Sequence, residues 1–508
     1  MTHSTTTAGT TSDTTTASTS GTTAGTNTAT DARTSADATP GIVAATDALP
    51  PASPRPAGTA PRPYQFPRVT RHVLPNGLRL LVAPVTKLPL VTVLALVDAG
   101  AAADPAGQEG VAQLTASLLT EGAGPHSGLE LADVLEGMGT ALDAHADWDA
   151  SVARLTTLTA RLPDALALLG LVLREPRFPA DEFERLREER IATLLQVQSE
   201  PRSLANEAFD ATIFDAGARY AMPDGGSMRS VRALTADAVR AFHAARYTPA
   251  ATTLIVAGDV SADDALALVT RTFGDWRGAA PAAIAAPDTP APTGRGVTIV
   301  AKPGAPQTEL RVGHAGPMRT TPDYFPLLLG NAVLGGLFGS RLNLNLRERH
   351  GYTYGAHSGF DWRRFRAPFA MDAAVQSEVT GAAAREMLAE FAAIRDGDVS
   401  DAELTLARDY LDGVFPIRFE TTRAIAGALA SLVTFGLPDD YFDTYRASVR
   451  TVHAAAIRTA MATHLDPSRL QLVAVGDPAV ISEQLAALDL GPVRVLDPAA
   501  IVGGGDAA

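Results

Sequence analysis

The 508-residue chain contains no cysteine, which excludes a disulfide framework, a thiolate zinc site and a cysteine nucleophile. No uninterrupted apolar run reaches transmembrane length. No basic segment leads into an apolar stretch at the start, so no secretory signal is read and a cytoplasmic location is expected, with the periplasm left open. Basic charge is short: 42 Lys and Arg stand against 56 Asp and Glu, for a net charge of −14 spread along the chain. That balance disfavours nucleic acid and anionic membrane as partners and favours solubility. No GxSxG element and no carboxylate pair at helical spacing stands out. The glycines at 335, 336 and 339 are not followed by Lys-Ser/Thr, so they are no phosphate loop and could instead permit close backbone approach or a mobile rim.

What is present is core. Apolar residues make up 46% of the chain and charged residues 19%, and the length predicts more than one domain. Residues 1–62 are nearly all Thr, Ala, Ser, Gly, Asp and Pro, too poor in apolar groups to offset chain entropy, and are expected to be a disordered tail. From there two copies of one plan follow. RHVLPNGLRLLVAPV predicts a hairpin and PLVTVLALVDAG a buried strand. Helical periodicity marks 110–121, 129–138, 163–174 and 181–198, and TLIVAGDV with its following helix closes the unit. The second unit runs from GVTIVAKPGAPQTELRVGHAG through the helical PDYFPLLLGNAVLGG to LQLVAVGDP and its helix. The expectation is two homologous α+β domains, 63–277 and 296–500, joined by a Pro/Ala/Gly linker at 278–295 and closing like a clamp.

The ten histidines include no HxxEH, HxxH or inverted pair. His126, His243, His350 and His357 read as surface or packed residues, and Glu188 and Glu189 as the solvated face of an amphipathic helix. In FGSRLNLNLRERHGYTYGAHSGF a Leu/Arg-rich helix should end at Gly351, after which YTYGAHSGF alternates as an extended strand, with Tyr352 and Tyr354 on one face. Arg341 in the preceding Gly-Ser-Arg turn reads as structural.

The ordered set LPNGLRLLVAP, DAGAAADPAGQEGVAQL, SVRALTADAVRAFHAARYTPAATTLIVAGDV and GSRLNLNLRERHGYTYG resembles the insulinase or pitrilysin-like zinc metallopeptidases over roughly residues 68–480. In active members, the resemblance implies, the helix after the DPAG-type turn carries HxxEH, two zinc ligands on one helix face with the general base between them, and a downstream glutamate completes the set. Here the matching positions hold Gln113, Ala116 and Ser117, and the downstream register holds Ala192 and Thr193. The resemblance also places an arginine before the Gly351 break and a tyrosine seven residues later, here Arg347 and Tyr354. It thus implies a non-catalytic, substrate-binding subunit, one clamp-like half of a peptidase chamber. This subunit holds no metal and is inactive alone, and zinc is expected on an HxxEH-containing partner. The substrate would be a peptide or unfolded polypeptide lying along a strand edge. The alternative is a structural or assembly subunit of the same fold with no role in catalysis.

Overall fold

The computed structural model describes residues 63–291 and 294–503; the tail expected at 1–62 lies outside them. The first half contains strands β1 (Thr70–Val73), β2 (Arg79–Pro84), β3 (Leu90–Val97), β4 (Gly122–Ala123), β5 (His126–Ser127), β6 (Asp143–Ala146), β7 (Ser151–Leu158) and β8 (Thr252–Gly258). The second contains β9 (Gly296–Ala301), β10 (Gln307–Met318), β11 (Ala356–Phe360), β12 (Arg366–Gln376), β13 (Gln471–Gly476) and β14 (Val493–Leu496). Apart from the small β4–β5 pair, the strands form two six-stranded mixed sheets, ordered β1-β2-β8-β3-β7-β6 and β14-β9-β13-β10-β12-β11. The inner plan is the same in both. An opening strand pairs in parallel with the closing one (β2 with β8, β9 with β13), and three antiparallel neighbours follow outward to a free edge, β6 or β11. The chain is therefore two α+β domains of like topology.

Period-two alternation shows what covers each sheet. Val91, Val93, Ala95 and Val97 of β3 join the core of the first half. Leu94 and Leu96 face the other way, into a core built mainly by the second half, where the helix Thr422–Phe435 packs across β3 and β8. The exchange is reciprocal: the helix Pro201–Ile213 of the first half lies on β10 and β13, burying Leu204, Ala208 and Phe209 against Val473 and Val475. Both faces of each central strand are thus dry, which explains its nearly continuous apolar sequence. Each half needs the other to bury its sheet, so the clamp-like half is held closed by shared core.

Polar ties reinforce that closure. The β11–β12 turn carries Arg363 and Arg364 into the first half, where Arg364 pairs with Asp98 at 2.6 Å and its amide donates to Asp149 Oδ2 at 2.9 Å. The linker is also fastened: the amides of Tyr220 and Asp215 donate to the carbonyls of Pro287 and Thr289, and the Ala291 amide to that of Ile213.

One local expectation needs correction. The segment before Gly351 is a wide π-type turn, Asn343–Arg349, and the edge strand begins only at Ala356. Gly351, at φ +66°, ends the helical run as expected, its amide donating to the Arg347 carbonyl. Tyr352 and Tyr354 therefore precede the strand and share no strand face. The widened turn follows from buried Asn343 and Asn345. Asn343 gives its side-chain amide to the Ala356 carbonyl, and Asn345 gives its own to Glu386 and Glu390. Both are pulled inward where a tighter helix would turn one of them out.

Candidate functional site: a peptidase helix without its ligands

The helix Val111–Leu118 sits where an HxxEH helix would be expected, packed on β6 and β7 and against the long helix Ala180–Ser199. Its start is set from a distance. Asp104, in the Asp-Pro-Ala-Gly turn, accepts from the Gly110 amide at 2.7 Å and the Ala112 amide at 2.9 Å, satisfying donors that a helix N-terminus leaves open. Arg219 holds the same carboxylate at 2.8 Å. Burial outweighs these partners and pushes Asp104 up to about 6. Gly110 takes φ +98°, and a methyl group there would lie 2.5 Å from the Gly225 carbonyl oxygen. The loop 223–226 thus packs directly on the helix start, and only glycine allows that approach.

On this helix Gln113 and Ser117 share the half-exposed face, as residues at i and i+4 must, while Ala116 is wholly buried. The residues do not fit zinc. A carboxamide and a hydroxyl are poor ligands for the ion, and Ala116 has no proton to move. On the facing helix Ala192 and Thr193 are exposed, and the Thr193 hydroxyl donates to the Glu189 carbonyl at 3.0 Å. Glu188 and Glu189 point to solvent beside Arg187 and Arg185. Among the described residues, no group of three or more His, Asp or Glu is arranged to hold a metal ion.

A side chain that sequence reasoning did not single out stands beside Gln113. The Arg190 Nε donates to the Gly225 carbonyl at 3.0 Å. A methyl group on Gly225 would meet the Gln113 Oε1 at 2.0 Å and the Arg190 guanidinium at 2.4 Å, so both side-chain tips close on one point above the loop.

Next to this point opens a cavity of about 620 Å³ between the helix 201–213 and the second sheet. Arg202, Asn206, Phe209 and Asp210 wall it from the helix, and Arg311, His357 and Asp372 from the sheet. Arg311 is fully engaged, with Asn206 at 2.8 Å and Glu309 at 3.1 Å. Arg363 bonds Asp210 at 2.8 Å and Asp361 at 2.7 Å and lies between the rings of Trp148 and Tyr220, 4.6 and 4.7 Å from their centroids. Among the described residues the Glu207 side chain has no hydrogen-bond partner. Burial, then Asp224 and Asp210, push it up to about 8, against the pull of Arg190 and Arg363. Its sequence signal was a lone acid at the margin of the Leu204–Ala208 apolar stripe.

Arg347 and Tyr354 lie outside this cavity, at the approach to edge strand β11. The Arg347 guanidinium stacks 4.6 Å over the exposed Phe338 ring and stands 3.6 Å from Glu348. Tyr354 is 94% exposed, while Tyr352 is half-buried against His350. Arg341 is structural, forking onto Glu403 at 2.7 and 3.0 Å. Gly335 lets its turn approach β11, since a methyl group there would sit 2.4 Å from the Ser358 amide. His243 is a packed residue: its Nε2 meets the Leu173 carbonyl at 3.0 Å, and burial pushes it down to about 4.

Two α+β units with this plan, carrying a helix of HxxEH placement and a Gly-ended turn before an edge strand, define a peptidase-like fold of the zinc-peptidase type. The family model described as Insulinase (Peptidase family M16) matches residues 83–221, and that described as Peptidase M16 inactive domain matches residues 233–411. The chain belongs to the insulinase family of peptidases. It is 27% identical to an uncharacterized zinc protease of Mycobacterium leprae over 58% of this chain and 66% of that protein, somewhat under two thirds of the relative's length. It is 22% identical to the mitochondrial-processing peptidase subunit beta of Saccharomyces cerevisiae, over 75% of this chain and 86% of that one. The crystal structure of a peptidase M16 inactive domain from Pseudomonas fluorescens is similar at a TM-score of 0.76 and 27% identity, covering 80% of this chain and 98% of that one. No helix among the described residues is long and apolar enough to cross a membrane.

Proposed function

We propose that this chain is the zinc-free, substrate-binding half of a two-chain peptidase, supplying Arg347 and Tyr354 to a zinc site on an HxxEH-containing partner. The observation that carries this reading is the peptidase helix at 111–118, kept in place by Asp104 and Arg219 while Gln113, Ala116 and Ser117 stand in the ligand and base positions. The resemblance of most of the chain to a processing-peptidase subunit and, over an overlapping span, to an inactive peptidase domain supports it. Arg347 and Tyr354 both flank the Gly351 turn, and the phenol is open to a second chain. A guanidinium and a phenol can both donate to a peptide carbonyl and to the negative charge that develops on it during attack. The free edge of β11 just beyond offers backbone groups to an extended peptide.

The test is reconstitution with the HxxEH partner on a quenched peptide, with turnover and assembly read separately. Arg347→Ala and Tyr354→Phe are each expected to lower the partner's turnover on the order of a hundredfold, the usual loss for one oxyanion donor, with assembly intact. Unchanged turnover in both, with the complex formed, would leave a purely structural subunit as the better account.

A further inference from the structure

We propose that the Arg190 guanidinium takes the place of the catalytic cation in this domain. It fills the point between Gln113 and the 223–226 loop, it is the fixed counter-charge of Asp224 and, where that acid ionises, of Glu207, and it excludes a divalent metal from the site. This goes beyond the division of labour proposed above and does not depend on Arg347 or Tyr354.

Three observations converge on it. The Arg190 guanidinium and the Gln113 carboxamide close on the same point over Gly225, and Gln113 occupies the first ligand position of the zinc helix. The Arg190 Nε is tied to the Gly225 carbonyl at 3.0 Å, so the group is held there by backbone. The acids that attract Arg190 are Asp224 on that loop and Glu207 on the helix 201–213; the attraction acts across space, since among the described residues neither acid is in ion-pair contact with Arg190 or with another cation. A guanidinium stays charged throughout the accessible pH range, offers only donors and cannot ligate a metal. A divalent ion brought beside it would meet like charge in a partly desolvated place. The remaining charged groups around the cluster are Arg219, which repels Arg190 and is paired with Asp104, and the pair Asp210–Arg363. Burial is the largest influence on Arg190 and works against its charge, while Asp224 and Glu207 sustain it.

The site therefore does more than lack ligands, and returning them should not by itself return the metal. The experiment installs Gln113→His, Ala116→Glu and Ser117→His together with Ala192→Glu or Thr193→Glu, in the full chain, with Arg190 intact and with Arg190→Ala. Zinc retained after desalting is then measured, with a titration for affinity. The expected result is about one zinc per chain in the Arg190→Ala background and at least a hundredfold weaker binding with Arg190 intact. Equal binding in the two backgrounds, or zinc in neither, would overturn the proposal. Should the multiple variants not fold, single variants decide by melting temperature. Arg190→Gln should lower it more at pH 8.5 than at pH 5.5, because the loss leaves Glu207 without its cation as it ionises. Glu207→Gln added to it should recover much of the difference. A pH-independent loss with no recovery would equally overturn the assignment.

Discussion

Arg363 offers the sharpest test of how the two halves are joined. It comes from the β11–β12 turn of the second half, is almost wholly buried, and reaches Asp210 of the first half while lying between Trp148 and Tyr220. Arg363→Met keeps most of the apolar volume and removes the charge. Breaking a buried pair by removing one partner costs about 3–5 kcal/mol, because the other charge is left uncompensated. The lost stacking on two rings adds roughly 0.5–2 kcal/mol. Asp210 can escape part of this by taking up a proton, at ~1.4 kcal/mol for each unit between ambient pH and its own pKa. Burial already raises that pKa and Arg363 is the main group lowering it, so the variant raises it further. A carboxyl raised in the folded state contributes fully at low pH and loses that contribution as pH rises. The deficit of Arg363→Met must therefore grow with pH, to about 4 kcal/mol at pH 8 and roughly half that at pH 5.

Urea unfolding followed by circular dichroism gives the global loss, and tryptophan fluorescence in a Trp276→Phe, Trp362→Phe background, where Trp148 alone emits, reports the contact itself. Because each sheet is covered by a helix of the other half, the two signals should move together in one transition. Adding Asp210→Asn should recover about 2 kcal/mol at pH 8, since the stranded charge goes with it. A loss below ~1 kcal/mol at pH 8, or a double variant no better than the single one, would refute the reasoning. The pair would then be an ordinary surface contact rather than the tie between halves.

Glu207→Gln should flatten the dependence of stability on pH. The folded carboxyl is held at about 8 against an ordinary 4.5, so its contribution is complete below pH 4.5 and lost as pH rises through 8. Thermal melts at pH 4 and 9 should therefore show a variant nearly equal to the parent at the lower pH and more stable at the higher. Asp149→Asn keeps an acceptor for the Arg364 amide but removes a group pushed up to about 6. Its melting temperature relative to the parent should rise between pH 4.5 and 7, as the same measurement would show. Gly110→Ala combines a φ of +98° with a 2.5 Å approach to the Gly225 oxygen and should cost roughly 3 kcal/mol or more, read by urea unfolding. A loss within ~0.5 kcal/mol would mean that the loop moves aside freely.

Much of the fold was legible because its strands are covered on both faces. The apolar runs at 90–97, 252–258 and 471–476 had to be buried strands, and Asn76-Gly77 had to be a turn. Less legible was what covers the second face. Nothing in ANEAFDATI or TRAIAGALASLVTF says that each helix lies on the other half's sheet, because amphipathic periodicity gives a face and not a partner. The site divides the same way. Empty ligand positions can be read from residue identity alone. Arg190 could not be, since it reads as one more arginine in the charged run ERLREER until the 223–226 loop brings Gly225 over it. The strand predicted from Tyr352 failed for a related reason: alternation fits YTYGAHSGF, but Asn343 fixes where the strand begins by bonding Ala356.

Loss of a structural metal commonly costs a small domain its fold, because ligation energy is folding energy there. This chain escapes that dependence by two physical routes. Its cores are shared across the halves, so the sheet behind the peptidase helix is secured by Leu94, Leu96 and the helix 422–435, far from any ligand. The helix itself is held at its N-terminus by Asp104, Arg219 and the Gly110–Gly225 contact rather than through Gln113 and Ser117. The Gln113 and Ser117 face is thus not what anchors the helix start. What the site still carries is a positive charge near Asp224 and Glu207, and a side chain that holds one permanently supplies it at any metal concentration.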